Sequence, residues 1–282
     1  MTQNHPNQTL EEILLVEPTS RSDESRLEDA NYEIVETLSG GKSRNTYKVK
    51  LNNSDDEEDH IFVAKVKKPA DQSEVHAQIN NNFRERNVQA MLNGVPGIPR
   101  LAYSKDDINV EHYIEGETLS SVKNTLTTRQ KNKITERLIS TLANIHQSNV
   151  THRDIHPGNI IVDGDTKMPY IVDWEKAKTL DELATGCESI SNNPHETMAA
   201  ARYMLSPVVD GIVNGSFKWD DKVAQRNDVH ALAMSILEMY HGSLVMPHSF
   251  SSSEDDPNRL VLKRYKSDGS GFEERIDCEN NR

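Results

Sequence analysis

The sequence is poor in cysteine, in aromatic residues and in positive charge. Its two cysteines, Cys187 and Cys278, are too few for a disulfide scaffold or for a zinc site of their own. That usage predicts a protein of the reducing cytoplasmic interior. Aromatic residues make up 5% of the 282 residues and hydrophobic residues 35%, so part of the chain is expected to lie outside any core. No run of about 18 apolar residues occurs, which excludes a transmembrane helix and predicts no membrane partner. Met1 to Glu12 has no basic region followed by an apolar stretch, so no signal peptide is expected. Lysine and arginine number 32 against 45 aspartate and glutamate, a formal charge of −13. Phosphate backbones attract the opposite sign, so this balance argues against nucleic acid as a partner.

The acidity is local. The first thirty residues carry a net −5, the run Asp55-Asp56-Glu57-Glu58-Asp59 carries another −5, and −3 remains for everything else. Residues 1–30 read as an acidic flexible tail and residues 55–59 as an exposed hairpin loop, since like charges repel and hydrate. Any role beyond solubility would be toward a basic substrate or partner.

At roughly 150 residues per domain, the length suggests two lobes. Residues 31–113 read as a small α+β unit. Strand patterns at Tyr32–Val35, Thr46–Leu51 and Ile61–Val66 precede a helical stretch from about Glu74 to Leu92. Two further strands follow at 101–103 and 109–114. Residues 114–245 read as mainly helical. Ile134, Leu138, Leu142 and Ile145 recur at helical spacing, which predicts an amphipathic helix over 129–147. Short apolar segments at Asn159–Val162 and Tyr170–Val172 flank a hairpin turn, and Asp228–Tyr240 is apolar on nearly all sides, which predicts a buried helix. Residues 246–282 form a polar segment.

The chemistry lies in His152-Arg153-Asp154-Ile155-His156-Pro157-Gly158-Asn159, followed fourteen residues after Asn159 by Asp173 in Ile171-Val172-Asp173-Trp174-Glu175. An aspartate five residues before an asparagine, with a second aspartate beyond a hairpin, suits phosphoryl transfer. One carboxylate orients the attacking hydroxyl, while an amide oxygen and the second carboxylate hold a divalent metal. The pattern resembles the catalytic and metal-binding loops of the protein-kinase-like superfamily over about residues 32–242, most closely its eukaryotic-like Ser/Thr branch in a compact form. The resemblance implies an α+β bilobal fold: a small lobe with an antiparallel sheet and one helix, and a mainly helical second lobe. It implies ATP and Mg2+ as cofactors, Ser/Thr protein substrates and autophosphorylation.

By that likeness Asp154 is the base, and Asn159 and Asp173 are metal ligands. Leu38-Ser39-Gly40-Gly41-Lys42-Ser43-Arg44-Asn45-Thr46 is similar to a glycine-rich phosphate loop with one matching glycine, Gly41. Lys65 and Lys67 share one strand face. Val63, two residues before Lys65, is the apolar residue that can pack on adenine, so Lys65 is the phosphate anchor and Lys67 a solvated surface lysine. Glu85 stands thirteen residues before Ile98, close to the family interval, as the partner of Lys65. The backbone near Glu111 and Tyr113 resembles the adenine-binding hinge, with Gly116 freeing the crossover. The nucleotide site implied by the likeness comprises Ser39, Gly40, Gly41, Thr46, Val63, Lys65, Glu111, Tyr113 and Ile161. Asp228 would accept hydrogen bonds from the catalytic-loop backbone. Arg153 would pair with a phosphate on Ser189, Ser191 or Thr197, in a segment with Lys176 and Lys178 near its start.

Five departures stand out. His156 replaces the lysine that contacts the γ-phosphate in most Ser/Thr members, and a protonated histidine would do part of that work. Trp174-Glu175 replaces Phe-Gly. The glycine-rich loop is poor in glycine. Only about forty residues follow the central helix. Val208 also stands where the segment Tyr203-Met204-Leu205-Ser206-Pro207 would end in a glutamate. Two rival readings remain open: a small-molecule kinase, favoured by His156 and Trp174, and an ATP-binding pseudokinase scaffold.

Overall fold

The computed structural model describes residues 21–40, 44–52, 61–68, 85–105, 107–184, 203–205, 208, 221–242, 248–252, 260–265 and 272–275. The chain divides into two units, residues 1–83 with 101–113, and residues 84–100 with 114–282.

The first unit begins with a helix that the acidic composition concealed. Residues 1–30 read as a flexible tail, yet Asp23–Asp29 is a helix, α1. Ser22 caps it by accepting from the Ser25 N–H, and Asp23 and Glu24 sit in the first turn, where the helix dipole favours acid. Its buried residue is Leu27, fully shielded, which is worth about 2 kcal/mol. Asp23 accepts from Asn45 Nδ2 and from the Tyr47 hydroxyl, both at 2.8 Å, and Arg26 pairs with Asp107. These tertiary contacts hold the helix; its own seven residues would not form alone.

The sheet beside it comprises β1 (Tyr32–Gly40), β2 (Arg44–Leu51), β3 (Ile61–Lys67), β4 (Leu101–Lys105) and β5 (Ile108–His112). It is antiparallel in the order β1-β2-β3-β5-β4. Phe62, Ala64 and Val66 of β3 turn to a core shared with Leu27, Tyr32, Val49, Ile108 and Val110. Val63 and Lys65 therefore lie on the opposite face. Lys67 is not a solvated lysine; it is 5% exposed. Its N–H donates to the Asp107 carbonyl and its own carbonyl accepts from Arg26, so α1 and the β4–β5 turn engage this strand end.

In the second unit, residues 85–91 are helical. Next come β6 (Gly116–Thr118), α2 (Leu119–Val122) and α3 (Thr128–Gln147). A capping box of Thr127 and Gln130 starts α3, and Ile134, Leu138, Thr141, Leu142 and Ile145 form its buried stripe. After β7 (Val150–Thr151), a single 3-10 turn (Pro157–Asn159) leads into β8 (Ile160–Asp163) and β9 (Pro169–Ile171), followed by β10 (Lys178–Thr179) and α4 (Leu180–Ala184). Strands pair in the order β6-β8-β9, and β7 pairs with β10. Gly116 is needed for close approach: a Cβ there would stand 2.3 Å from the Val162 carbonyl oxygen.

Helix α5 (Asp221–His241) is longer than expected and less apolar inside. Its inner stripe alternates Ala224, Ala231, Leu232 and Met239 with buried Asn227, Asp228, Ser235 and Glu238. Those polar residues take core positions because each has a partner, and apolar Val229 (55% exposed) and Leu237 (44%) are left outside. The expectation of a helix buried on nearly all sides is corrected accordingly. The polar end of the chain contains an antiparallel sheet of β11 (His248–Ser252), β12 (Leu260–Tyr265) and β13 (Phe272–Arg275). Among the described residues no helix is long and apolar enough to cross a membrane.

Candidate active site

The loop after β7 turns at Arg153, whose φ of 68° is left-handed. A non-glycine residue there costs about 1 kcal/mol or more and must be held by its surroundings. Asp228, fully buried on α5, does the holding. Its two carboxylate oxygens accept from the His152 and Arg153 N–H groups, each at 2.7 Å. His152 is also fully buried. Its Nε2 donates to the Val172 carbonyl at 3.1 Å, its Nδ1 accepts from the Asp154 N–H at 3.3 Å, and its ring meets Trp174 edge-on. One imidazole thus ties the loop carrying Asp154 to the loop carrying Asp173.

Asp173 is the second left-handed residue of the site, with φ 68°. It lies one residue beyond β9, and the intervening Val172 N–H donates to the Asn159 carbonyl at 3.0 Å. This extends the β8–β9 ladder, so Asp173 and Asn159 end up at the same end of the hairpin. The Asn159 Nδ2 donates to the Asp154 carbonyl at 3.0 Å. A carbonyl can only accept, so this bond fixes the amide orientation and leaves Oδ1 as an available metal ligand. Asp154 is 7% exposed. Its Oδ2 pairs with Lys176 Nζ at 3.0 Å, while its Oδ1 is buried with no hydrogen-bond partner among the described residues. A carboxylate with an oxygen not already committed to a hydrogen bond among the described residues has the acceptor capacity a base requires. The oxygen donors of Asn159 and Asp173 suit a hard cation such as Mg2+.

His156 caps the 3-10 turn. Its Nδ1 accepts from the Gly158 N–H at 3.1 Å and its ring stacks on Tyr203. Burial holds its pKa below the ordinary histidine value, against the pull of Asp154.

In the first unit, Val63 and Lys65 lie on one face of β3, and Val63 pairs with Glu111 of β5. Lys65 Nζ meets Glu111 Oε1 at 2.8 Å, with side chains 13% and 4% exposed. The sequence reading used only the backbone of Glu111; nothing in Ile108-Asn109-Val110-Glu111-His112 singled out its side chain. Thr46 pairs with Lys65 across β2 and β3, and Ser39 and Gly40 end β1. Lys48 lies 4.3 Å above the Tyr113 ring. In the second unit, Glu85 is buried at the start of the helical residues 85–91, and Ile161 is on β8 opposite Tyr170. Gly41, the run 55–59, Ser189, Ser191 and Thr197 lie outside the described residues.

The segment near Tyr203 is tied to α5. The Tyr203 hydroxyl donates to Glu238 at 2.5 Å, Lys123 pairs with the same carboxylate, and the Leu205 N–H donates to Asn227. Val208, where a glutamate was anticipated, is 1% exposed and packs with Leu183, Met204 and Ala224. An apolar contact stands there.

The family model described as protein kinase domain matches residues 32–272. The chain belongs to this family. Among curated relatives, this protein kinase domain is 26% identical over 245 residues to serine/threonine-protein kinase D of Synechocystis sp., covering 79% of this chain and 43% of that one. It is 22% identical over 231 residues to serine/threonine-protein kinase PrkC of Bacillus subtilis, covering 76% of this chain and 31% of that one. The chain thus spans less than half the length of these two relatives. Among solved structures it is similar to the Cydia pomonella granulovirus kinase PK-1, with a TM-score of 0.55 and 19% identity over 82% of this chain and 75% of that one. The fold is the α+β fold of the kinases, as the sequence led one to expect.

Proposed function

We propose that this chain is a serine/threonine protein kinase that transfers the γ-phosphoryl group of ATP to Ser/Thr hydroxyls of proteins, itself included. The observation that carries the reading is the Asp154 carboxylate, whose Oδ1 has no hydrogen-bond partner among the described residues, set beside an Asn159 whose Nδ2 donates to the Asp154 carbonyl and leaves Oδ1 to ligate. In this reading Asp154 orients the acceptor hydroxyl and takes its proton. Asn159 and Asp173 hold Mg2+, which neutralises phosphate charge when bound. Lys65, kept in place by Glu111, serves the nucleotide phosphates, and Val63 the adenine. The bond between the γ-phosphorus and the β–γ bridging oxygen breaks with its electrons leaving on ADP, and a bond to the hydroxyl oxygen forms. Catalysis is then positioning and charge stabilisation.

The names of the two curated relatives support a protein acceptor over a small molecule. The acidic run Asp55–Asp59 would favour a basic substrate. Low cysteine content suits a cytoplasmic setting. The test is incubation with labelled ATP and Mg2+, wild type beside Asp154→Ala and Asp173→Ala, followed by phosphosite mapping. Wild type should label Ser or Thr on itself or on a basic protein. Each variant should lose at least about a hundredfold in transfer, the scale set by losing a positioned general base. Equal labelling by wild type and Asp154→Ala would overturn the assignment of the base, and a wild type that binds ATP without turnover would support the scaffold reading.

A further inference from the structure

His156 occupies the place at which most serine/threonine members carry a cationic lysine, and the structure shows that it does not supply the missing charge. Its Nδ1 is used as an acceptor from the Gly158 N–H, and its ring is stacked on Tyr203. A ring nitrogen that accepts carries no proton, so this geometry is not that of an imidazolium. Phosphoryl transfer spreads negative charge over three equatorial oxygens, and a fixed cation beside the base is among the largest stabilising effects available.

Lys176 stands at that point. Its Nζ lies 3.0 Å from Asp154 Oδ2, and its side chain is 29% exposed. Its position is imposed from both sides. Two residues before it, Trp174 is fully buried against His152. The Ala177 N–H donates to the Trp174 carbonyl at 3.1 Å, closing a tight turn around Glu175 and Lys176. Two residues after it, Lys178 pairs with Thr151 in the β7–β10 ladder. The lysine therefore projects from a clamped turn. The pairing occupies only Oδ2; Oδ1 has no hydrogen-bond partner among the described residues. An ammonium has three donors, so one can face Asp154 while another faces a phosphate oxygen.

We infer that Lys176 is a catalytic residue of this chain, its ammonium contacting the γ-phosphate of ATP in place of the lysine that His156 displaces. The inference rests on the ATP-dependent reading above. The acceptor proton goes to Asp154, and the electrons of the broken bond leave on ADP.

The test is calorimetric binding of Mg-ATP and Mg-ADP to the full chain, for wild type, Lys176→Ala, Lys176→Gln and Lys176→Arg, with a melting curve for each. Only ATP carries the γ-phosphate. Lys176→Ala and Lys176→Gln should weaken ATP binding about tenfold or more, leave ADP binding within about twofold, and lower turnover, as loss of one charge-assisted contact dictates. Lys176→Arg should keep the preference for ATP. Equal losses for ATP and ADP would overturn the inference by making the residue merely structural. Unchanged ATP binding, or a rise in turnover in Lys176→Ala, would also overturn it, the latter by making the ion pair a brake on the base. A wild type that binds neither nucleotide would instead defeat the ATP-dependent reading itself, and this inference with it.

Discussion

Replacing Asp228 by asparagine should remove one acceptor from the buried point on which the loop carrying Asp154 turns. The carboxylate is fully buried and receives the His152 N–H on one oxygen and the Arg153 N–H on the other, each at 2.7 Å. Asparagine offers one carbonyl oxygen and one NH2, so one of these N–H groups would face another donor. The orphaned donor costs about 1–3 kcal/mol, and the lost charge-assisted bonds add about 1.5–3 kcal/mol. A loss of about 3–5 kcal/mol is a large part of the roughly 5–15 kcal/mol that a domain has. At about 2–4 °C per kcal/mol it lowers the melting temperature by about 6–20 °C. The loop would then lose the tether that holds Arg153 left-handed, and Asp154 is the next residue. A displacement of about 1 Å at the proposed base should cost about a hundredfold in rate. The assay is thermal melting of both proteins, then labelled-ATP transfer at a temperature where both are folded. An asparagine variant with wild-type melting and wild-type turnover would refute the argument that this carboxylate sets the loop.

Val208→Glu would restore the residue anticipated at the end of the segment, yet it should destabilise the chain by about 3 kcal/mol or more. Val208 is 1% exposed among Leu183, Met204 and Ala224, and an unpaired carboxylate there is strongly penalised. A melting temperature equal to wild type would show that the pocket contains a partner for the acid. Tyr47 offers a test by pH. Burial, with its bond to Asp23, pushes its hydroxyl pKa up from 10.0 to about 12. The folded state holds this proton more tightly, so the contribution to stability is complete below pH 10 and is lost as pH rises through about 12. The stability difference between wild type and Tyr47→Phe should shrink across that window; a difference that stays constant from pH 8 to 12 would contradict the Tyr47–Asp23 contact.

The α1 helix shows where composition misleads. Seven acidic residues in the first thirty read as a solvated tail, because the opposing signals are single residues: Ser22 as a cap and Leu27 as an anchor. What stabilises the helix is contact with Asn45, Tyr47 and Asp107, which no local window contains. Helix α5 was misread for a related reason. Its inner stripe mixes alanine, leucine and methionine with Asn227, Asp228, Ser235 and Glu238, so polarity did not mark the outside. Helix α3 was legible because its stripe is apolar apart from Thr141 and a capping box opens it.

The sequence by itself determined the order and spacing of Asp154, Asn159 and Asp173, the strands at 32–35, 46–51 and 61–66, helix α3, and the alternation that puts Val63 and Lys65 on one face. These are properties of neighbours along the chain, set by the periods of strand and helix. Only the tertiary structure decided which groups meet: Lys65 with Glu111, Asp228 with the N–H groups of His152 and Arg153, and Lys176 with Asp154. Spacing limits how far a side chain can reach, but a partner dozens of residues away is chosen by how the packed elements place it and by the cost of leaving a buried charge or N–H unpaired.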